Sequence, residues 1–410
     1  MIQKIKSNLN ELSKDSLASL VPNKFKYLSL TDFTYGGLFS YISFVHARGI
    51  ILYKQNDGIV KIDFLRRDLP NYRSRARHSL VTGMTGSGKS FFNKLRIVSN
   101  ANDGCSVYNI DLQGDYKRLF YELGGENLVI TDGYRINPLQ LFEYSSEHPL
   151  GDHITTLTAF FLSAGTISDK VLNRLIVHVH DFYNDKFKHL LQDDEFENED
   201  YPTFTDLYNY LVEIGADTEI VDFIHKFTYT IYAKYFNGHT NIKIRNKLIN
   251  FVIVGVDEVV KSPIYHQIFN IMSAQMYKKK EDTLVLTLDE AKKYTTNELA
   301  IAHLNKSIRE GRKYDSVIDL LTQSPSDLPD EIVEQIGTKI YFKQTNIQAV
   351  AKSLDKDIEL IPDLSTYSYG EGIIQIDGKI YPIDILMTED EQMDYKDIIT
   401  IFDGEDMMYE

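Results

Sequence analysis

The sequence predicts an α/β fold with a mostly parallel sheet. Short apolar runs with the length of strands recur along the chain and are separated by stretches of helical spacing, as in a parallel sheet covered by helices. A glycine-rich loop follows one of these strands and opens a helix, and a block of helices without strands occupies the middle of the chain. Together, these observations predict a helical block inserted into an α/β domain.

The first part of the chain contains five predicted strands. The runs GIILYK and GIVKIDFL predict two short strands, and SLVTG, CSVYNID and NLVITDG predict three more that stop at turn residues. The N-terminal stretch has Ile2, Ile5, Leu9 and Leu12 on one helical face, which predicts a short amphipathic helix. Two of the five predicted strands precede the arginine-rich link RRDLPNYRSRARH, and three follow it.

The helical block is followed by a second series of strands. Apolar residues at helical spacing follow Ser168, which predicts an N-cap there. The run EIVDFIHKFTYTIYAKYF predicts a further helix that ends near Gly238. Near the C-terminus, GIIQIDGKIYPIDI predicts a hairpin with its turn at Asp377-Gly378. Four strands are predicted between the block and the hairpin, at residues 251–256, 284–288, 316–321 and 338–342.

Composition restricts the class of protein. The chain has 410 residues, so we expect one large elaborated domain or two to three units. Its hydrophobic share of 43% and charged share of 25% are ordinary for a globular protein. The formal net charge of −15 excludes a nucleic-acid binder held by bulk charge. Any contact with DNA therefore requires a local basic patch.

Cysteine usage and hydropathy indicate the compartment. Cys105 is the single cysteine, so neither an intrachain disulfide nor a cysteine zinc cage can form. We find no apolar run of about 18 residues and no secretory signal at the N-terminus. We therefore expect a soluble protein of the reducing cytoplasm without a transmembrane segment.

The strongest motif is GMTGSGKS at residues 83–90, which satisfies G-x-x-x-x-G-K-[ST] between a strand and a helix. Its backbone N–H groups converge on phosphate oxygens, Lys89 reaches the β- and γ-phosphates, and the Ser90 hydroxyl takes a magnesium site. The dipole of the following helix favours the anion. We therefore predict ATP and Mg²⁺ as ligands, with the nucleotide held by Gly83, Met84, Thr85, Gly86, Ser87, Gly88, Lys89, Ser90 and Phe91.

Two acidic pairs compete for the metal and the attacking water. FVIVGVDE ends in Asp257 and Glu258, and LVLTLDEA contains Asp289 and Glu290, each at the end of a predicted strand. Phosphoryl transfer needs one such pair, and the local sequence does not separate the two. Downstream of the second pair, the strand SVIDLLTQ ends in Gln323, and the preceding helix ends with Arg309 and Arg312.

Several separated motifs carry a family resemblance. VTGMTGSGKSFF, YNIDLQGDY, INPL, LTLDEA, EGRKYD and LLTQSPSDL stand in an order that resembles the motor ATPases of conjugation and type IV secretion. Specifically, these motifs resemble the C-terminal half of the family of the fourth VirB component, including its TraC-like and TraE-like relatives. It covers roughly residues 35–390. It implies a RecA-like sheet, an all-helical insertion and a cytoplasmic ATPase that serves a membrane channel.

The resemblance also implies roles for the site residues. Asp289 and Glu290 become the Walker B pair, so Asp289 joins Ser90 at the metal and Glu290 activates water. Gln323 would sense the γ-phosphate. Arg309 and Arg312 have two open interpretations: an arginine finger from the neighbouring subunit, or a solvated helix end where cations favour the dipole.

Two further features have open interpretations. Asp111 and Asp115 would hold a water near magnesium; for Asp115, a helix N-cap or turn role stays open as the alternative. The arginine-rich link would contact DNA phosphates or a partner subunit, or it is a solvated connector. Its arginines are Arg66, Arg67, Arg73, Arg75 and Arg77.

The expected organisation has four parts. Residues 76–140 and 248–390 form the RecA-like ATPase core and residues 141–247 the helical insertion, while residues 1–75 lead into the core and residues 391–410 form an acidic tail. Members of the resembled family usually carry a large N-terminal domain, whereas here little more than 80 residues precede the phosphate loop.

The expected function is that of an ATP-hydrolysing motor in conjugative transfer or type IV secretion. It would couple Mg-ATP hydrolysis to channel assembly or substrate transport. We expect a homo-oligomeric ring of six copies, together with other channel components, at the cytoplasmic face of the membrane. Two alternatives stay open: a DNA-pumping translocase or coupling protein of the same superfamily, and a nucleotide-binding assembly switch with little turnover.

Overall fold

A computed structural model gives the structure of the chain, and a nine-stranded sheet forms its centre. The predicted N-terminal helix, most of the arginine-rich link and the acidic C-terminal tail lie outside the described residues. The structure describes residues 50–55, 58–62, 64–65, 77–142, 149–191, 196–278, 282–376 and 378–385.

The sheet is mostly parallel, as predicted. Its strand order is β11-β10-β9-β3-β8-β7-β4-β6-β5, and the seven strands from β9 to β5 are parallel. β10 and β11 form the predicted antiparallel hairpin at one edge, and β1 pairs with β2 in a separate ribbon. The strands are β1 Ile50–Gln55, β2 Gly58–Ile62, β3 Ser79–Thr82, β4 Ser106–Asp111, β5 Glu126–Val129, β6 Leu248–Val252, β7 Leu284–Leu288, β8 Ser316–Thr322, β9 Thr338–Phe342, β10 Glu371–Ile376 and β11 Lys379–Asp384.

Helices cover both faces of the sheet. Successive strand residues point to opposite faces, so Val285 packs with α1 and α2 while Leu286 belongs to the core shared with α8 and α9. The α-helices are α1 Lys89–Asn102, α2 Lys117–Glu122, α3 Pro149–Ser163, α4 Asp169–Lys186, α5 Phe204–Glu213, α6 Thr218–Tyr229, α7 Ala233–Phe236, α8 Glu258–Tyr277, α9 Glu298–Gly311, α10 Asp330–Val333 and α11 Ile347–Leu354.

The helices α3 to α7 form an insertion between β5 and β6, as the sequence predicted. Phenylalanine side chains fill its interior, and the rings of Phe204 and Phe227 stack with centroids 4.7 Å apart. Its apolar core is continuous with that of the sheet. Lys306 on α9 pairs with Asp152 on α3 at 3.0 Å, so the insertion is attached to the helix that precedes β8.

Local predictions for the insertion are confirmed at its caps and corrected inside it. The Ser168 hydroxyl accepts a hydrogen bond from Val171 N at the start of α4, which confirms the predicted N-cap. The single helix predicted up to Gly238 is instead two helices, α6 and α7. Thr230 adopts an extended conformation between them (φ −112°, ψ −167°), and the Tyr232 hydroxyl just beyond it donates to the carbonyl of Ala164.

The strand that leads to the first acidic pair also differs from its prediction. β6 covers residues 248–252, whereas residues 251–256 were predicted. Asn250 interrupts the apolar run in the sequence, yet in the structure it is fully buried and donates to both Asp111 and Asn127. A buried polar network therefore replaces the apolar signal.

A helix that crosses a membrane must be both long and apolar, and this applies to each helix within the described residues. None of them is long and apolar enough to cross a bilayer.

Candidate functional site

The phosphate loop, residues 83–90, connects β3 to α1 and is attached to the neighbouring strand β9. Met84 N donates to the carbonyl of Lys343, and Ser87 N donates to the carbonyl of Met84. Gly88 has φ +104° and lies against the backbone of Gly370, so a Cβ there would be strained and would stand 3.2 Å from a backbone nitrogen. The loop is therefore closely packed against the neighbouring backbone on one side and half-exposed on the other.

The N-terminus of α1 is suited to binding an anion. Gly88 provides no side-chain cap, and the first turn contains no acidic residue, so the first N–H groups and the positive end of the dipole are uncompensated by side chains. Lys89 Nζ donates to the carbonyls of Gly83 at 2.5 Å and Met84 at 3.1 Å. Burial lowers the pKa of Lys89, opposed by the charges of Asp289 and Glu290.

The strand order shows which acidic pair lies near the phosphate loop. The carboxyl ends of parallel strands meet at one edge of the sheet, with neighbours about 4.8 Å apart. β7, which ends before Asp289 and Glu290, is two positions from β3, or about 10 Å. β6, which precedes Asp257 and Glu258, is four positions away, or about 19 Å. The charges that act on Lys89 are accordingly those of Asp289 and Glu290.

The second pair has an unusual local geometry. Glu290 has φ +55° and ψ +49°, a left-handed conformation that is uncommon for a residue with a side chain. Its N–H donates to Asp289 Oδ1 at 3.0 Å, and Tyr265 OH donates to the Asp289 carbonyl at 2.8 Å. Burial, followed by the negative charges of Asp111 and Glu290, raises the pKa of Asp289 to about 7.

The first pair has a different environment. Asp257 is exposed and is the N-terminal boundary residue of α8. Glu258 is exposed too and pairs with Lys261 at 2.7 Å and with Lys293 at 3.4 Å. These are surface ion pairs, which contribute little to stability.

Ser90 lies beside a buried phenol that the sequence analysis did not single out. Tyr116 is fully buried. Its hydroxyl is hydrogen-bonded to Ser90 and accepts a second hydrogen bond from Asn93 Nδ2 at 3.1 Å. Burial raises the pKa of Tyr116 well above its usual value, and the nearby charges of Asp289 and Asp111 add to this. Tyr116 thus lies beside Ser90, and the charge of Asp289 acts on its hydroxyl.

Asp111 organises the turn after β4. Its carboxylate accepts hydrogen bonds from the backbone N–H groups of Gln113, Gly114, Asp115 and Tyr116 at 2.7–3.2 Å, and it also accepts one from Asn250. This supports a turn role for Asp111.

Gln323 lies at the tip of β8, between the strands of the phosphate loop and of the second acidic pair. Its side chain is exposed, and its backbone carbonyl accepts a hydrogen bond from Gln344 Nε2 at 3.2 Å. The same Nε2 donates to Thr82 Oγ1 at 2.8 Å. Gln344 therefore ties the end of the phosphate-loop strand to the Gln323 backbone, a role that no local sequence signal indicated.

Arg309 and Arg312 are exposed and lie away from this chain's own site. They end α9, which leads into the amino end of β8, and the charge of Arg312 reaches His78 at the amino end of β3. The phosphate loop follows the opposite end of β3. Within one chain, the structure does not bring either arginine to the phosphates.

The arginine-rich link is described only at its last two residues, Arg77 and His78. Arg77 is buried and its guanidinium pairs with Asp315 at 2.6 Å, so it belongs to neither an exposed DNA-binding patch nor a solvated connector. The remaining arginines of the link, Arg66, Arg67, Arg73 and Arg75, lie outside the described residues.

The residues present fit a magnesium–nucleotide site. Across the described ranges, no three His, Cys, Asp or Glu side chains gather as an all-protein metal cage. Magnesium does not need one, because it is usually bound by one or two carboxylates together with phosphate oxygens and water. Ser90 and Asp289 offer such a partial set, and burial together with the negative charges of Asp111 and Glu290 raises the pKa of Asp289.

Family models match two parts of the chain. The model described as the central domain of the helicase HerA matches residues 73–152, which include the phosphate loop. The model described as an AAA-like domain matches residues 256–356, which include β7, β8 and β9.

Solved structures identify the fold. VirB4 of Thermoanaerobacter pseudethanolicus superposes with a TM-score of 0.74 over 85% of this chain and 99% of that chain, at 22% identity. The chain has the fold of VirB4. This confirms the resemblance at the level of fold, including the mostly parallel sheet with its helical insertion. The plasmid coupling protein TrwB in complex with ADP and Mg²⁺ also superposes on the chain, with a TM-score of 0.55 over 86% of this chain and 93% of that chain, at 13% identity.

A helicase is similar to the chain in sequence. The DNA double-strand break repair helicase HerA of Saccharolobus solfataricus is 24% identical over 330 residues, which make up 74% of this chain. The chain spans 62% of the length of that relative.

Proposed function

We propose that the chain is an ATP-hydrolysing motor of a conjugative transfer or type IV secretion system. The proposal rests on one observation. Lys89 of the phosphate loop lies close enough to Asp289 and Glu290 for their charges to act on its pKa, at the carboxyl edge that β3 and β7 share. A cation at the loop facing an acidic pair is the arrangement that phosphoryl transfer requires. The VirB4 fold supports the choice of system.

The site residues have separate tasks in this proposal. The first N–H groups of α1 and the Lys89 ammonium bind the phosphates. Asp289 and Ser90 hold magnesium, which supplies charge neutralisation to the β- and γ-phosphates when bound. Glu290 accepts a proton from the attacking water. Gln323, placed between the two strands, responds to the γ-phosphate.

Coupling to transport requires more than one copy of the chain. Arg309 and Arg312 lie at the end of the sheet opposite their own phosphate loop, so one of them would serve the site of a neighbouring subunit. This favours a ring, and six copies is the number that the family resemblance implies. We place the ring in the cytoplasm, at the inner face of the membrane, in contact with other channel components.

A DNA-pumping translocase is the second candidate. The matches to the helicase HerA and to the coupling protein TrwB favour it. The net charge of −15 argues for a local DNA contact only, since bulk attraction to phosphates is absent.

Steady-state hydrolysis with and without DNA tests the proposal. We expect Mg-dependent release of phosphate from ATP by the full chain, abolished in Lys89→Ala, with a rate that duplex DNA changes less than twofold. Strong stimulation by duplex DNA would select the translocase instead. Tight ATP binding without measurable turnover, at every protein concentration, would contradict both motors and select the assembly switch.

A further inference from the structure

A loop from the C-terminal part of the chain, Tyr367–Gly370, lies against the phosphate loop. Gly370 N donates to the carbonyl of Ser87 at 3.1 Å, and Gly370 stands in backbone contact with Gly88. The carbonyl of Gly370 accepts Ile385 N at 3.0 Å, and Ser368 N donates to Glu371 Oε2 at 2.8 Å. Hydrogen bonds on three sides therefore fix the backbone on which Tyr369 is mounted.

Tyr369 brings an aromatic ring next to Phe91. The two ring centroids are 6.3 Å apart and the rings are inclined by 54°, so they meet at an angle and do not stack face to face. Tyr369 is 46% exposed, while Phe91 is half-buried in the first turn of α1, directly after Ser90. An exposed phenol on a fixed loop thus stands beside the last residue of the predicted nucleotide-binding set.

The location matters because of the shape of a nucleotide. Its terminal phosphates are bound at Lys89 and Ser90, and the chain of phosphates continues through the α-phosphate to the ribose and the base. The first turn of α1 beyond Ser90 carries Phe91, and the element that lies over the loop at Gly88 is the one that carries Tyr369. The base therefore has an aromatic surface within reach.

We propose that Tyr369 is a nucleobase-binding residue, with Phe91 at the side of the same subsite, and that its ring stacks on the purine. The inference rests on the proposed ATPase function and adds how the site holds the base. Every base offers a π-face to an aromatic ring, so stacking provides affinity with little selection among bases. The absence of a charged side chain from this pair leads us to expect weak discrimination between ATP and GTP.

A purely structural role for the pair makes a different prediction. If Tyr369 only holds the Tyr367–Gly370 loop on the phosphate loop, its removal would disturb phosphate binding and base binding together. A stacking role affects only ligands that have a base. Inorganic tripolyphosphate, which has the phosphates and no base, separates the two.

The test measures the KM for ATP and the inhibition constant of tripolyphosphate for the wild type, Tyr369→Ala and Tyr369→Phe. For Tyr369→Ala we expect the KM to rise about 5- to 20-fold, with the tripolyphosphate constant unchanged within twofold. Tyr369→Phe keeps the ring and should behave as the wild type. Tyr121→Ala is the matched control, because Tyr121 on α2 is 75% exposed and lies outside the site.

The outcomes separate this inference from the proposed function. An equal loss of affinity for ATP and tripolyphosphate in Tyr369→Ala overturns the stacking role in favour of a structural one. No change in either constant overturns it as well. If the wild type neither binds nor hydrolyses ATP, the proposed function itself fails, and the base subsite fails with it.

Discussion

Asp289 has an unfavourable electrostatic environment for an ionised carboxylate. Its carboxyl group is surrounded by protein, and the neighbouring charges of Asp111 and Glu290 are also negative; Lys89 opposes them only in part. These effects place the pKa near 7, against an ordinary value of 3.8. A buried acid of this kind is common where a cation or a proton is exchanged during function.

The ligand-free protein should be stabilised by replacing Asp289. Because the pKa is raised in the folded state, the ionised carboxylate costs stability as pH rises from about 4 to about 7, and the cost is constant above that. We therefore expect Asp289→Asn to raise the Tm at pH 8 by about 2 °C or more, with a smaller gain at pH 5. Thermal unfolding at the two pH values measures this.

Asp282, which lies just before β7, provides a control for which we expect the opposite change in Tm. Burial there is outweighed by hydrogen bonds from Ser106 and its own backbone and by the Lys247 charge, so its pKa is lowered. Asp282→Asn should lower the Tm at pH 8. A lower Tm for Asp289→Asn at the same pH would contradict the electrostatic account of the site.

Two short turns at the carboxyl edge of the sheet connect the acidic pair to Gln323. Lys292, two residues after Glu290, pairs with Asp327 at 2.7 Å. The Asp327 carboxylate also accepts hydrogen bonds from Thr322 Oγ1 and Ser324 N, each at 2.9 Å. It therefore shapes the turn that follows Gln323. The ion pair therefore joins the end of β7 to the end of β8.

Breaking this connection should slow turnover more than it weakens binding. We expect Asp327→Ala to lower kcat about two- to tenfold, and Lys292→Ala to lower it less, with the KM for ATP within twofold in both. Lys292 is exposed, so its loss should hardly change the Tm. A double-mutant cycle on kcat checks the coupling; additive effects would show that the two turns act independently.

The elements that sequence patterns predicted best are those with an uninterrupted apolar signal. β7 and β9 coincide with their predicted ranges because each is a buried run flanked by polar residues. β6 was displaced because Asn250 is polar and buried at once. The phosphate loop was recognisable from its glycine spacing, whereas Tyr116, Gln344 and Tyr369 come near the loop only through contacts between distant segments.

At the scale of the whole molecule, the orientation of α9 determines where its arginines can act. Arg312 is near His78, which precedes β3, and the phosphate loop follows β3 at the far end. If one of these arginines acts at the phosphates, as proposed, a second copy of the chain must bring it there. This is a property of packing between chains, so the sequence left the interpretation open.

Hydrolysis should therefore depend on assembly. We expect the rate per subunit to rise with protein concentration, and Arg309→Ala or Arg312→Ala to remove that rise. The exposed neighbour Lys313→Ala should retain it. Mixing an arginine variant with Glu290→Gln should restore activity, since each supplies what the other lacks. A flat rate for the wild type, or no recovery on mixing, would exclude an arginine in trans.

The assignment of the acidic pair is the central claim, and paired glutamate substitutions test it most directly. Both Glu290→Gln and Glu258→Gln remove one negative charge after a strand of the same sheet. We expect Glu290→Gln to bind ATP with the wild-type affinity while hydrolysis falls at least about 100-fold, and Glu258→Gln to hydrolyse ATP within twofold of the wild type. Loss of hydrolysis in Glu258→Gln with normal turnover in Glu290→Gln would contradict the account.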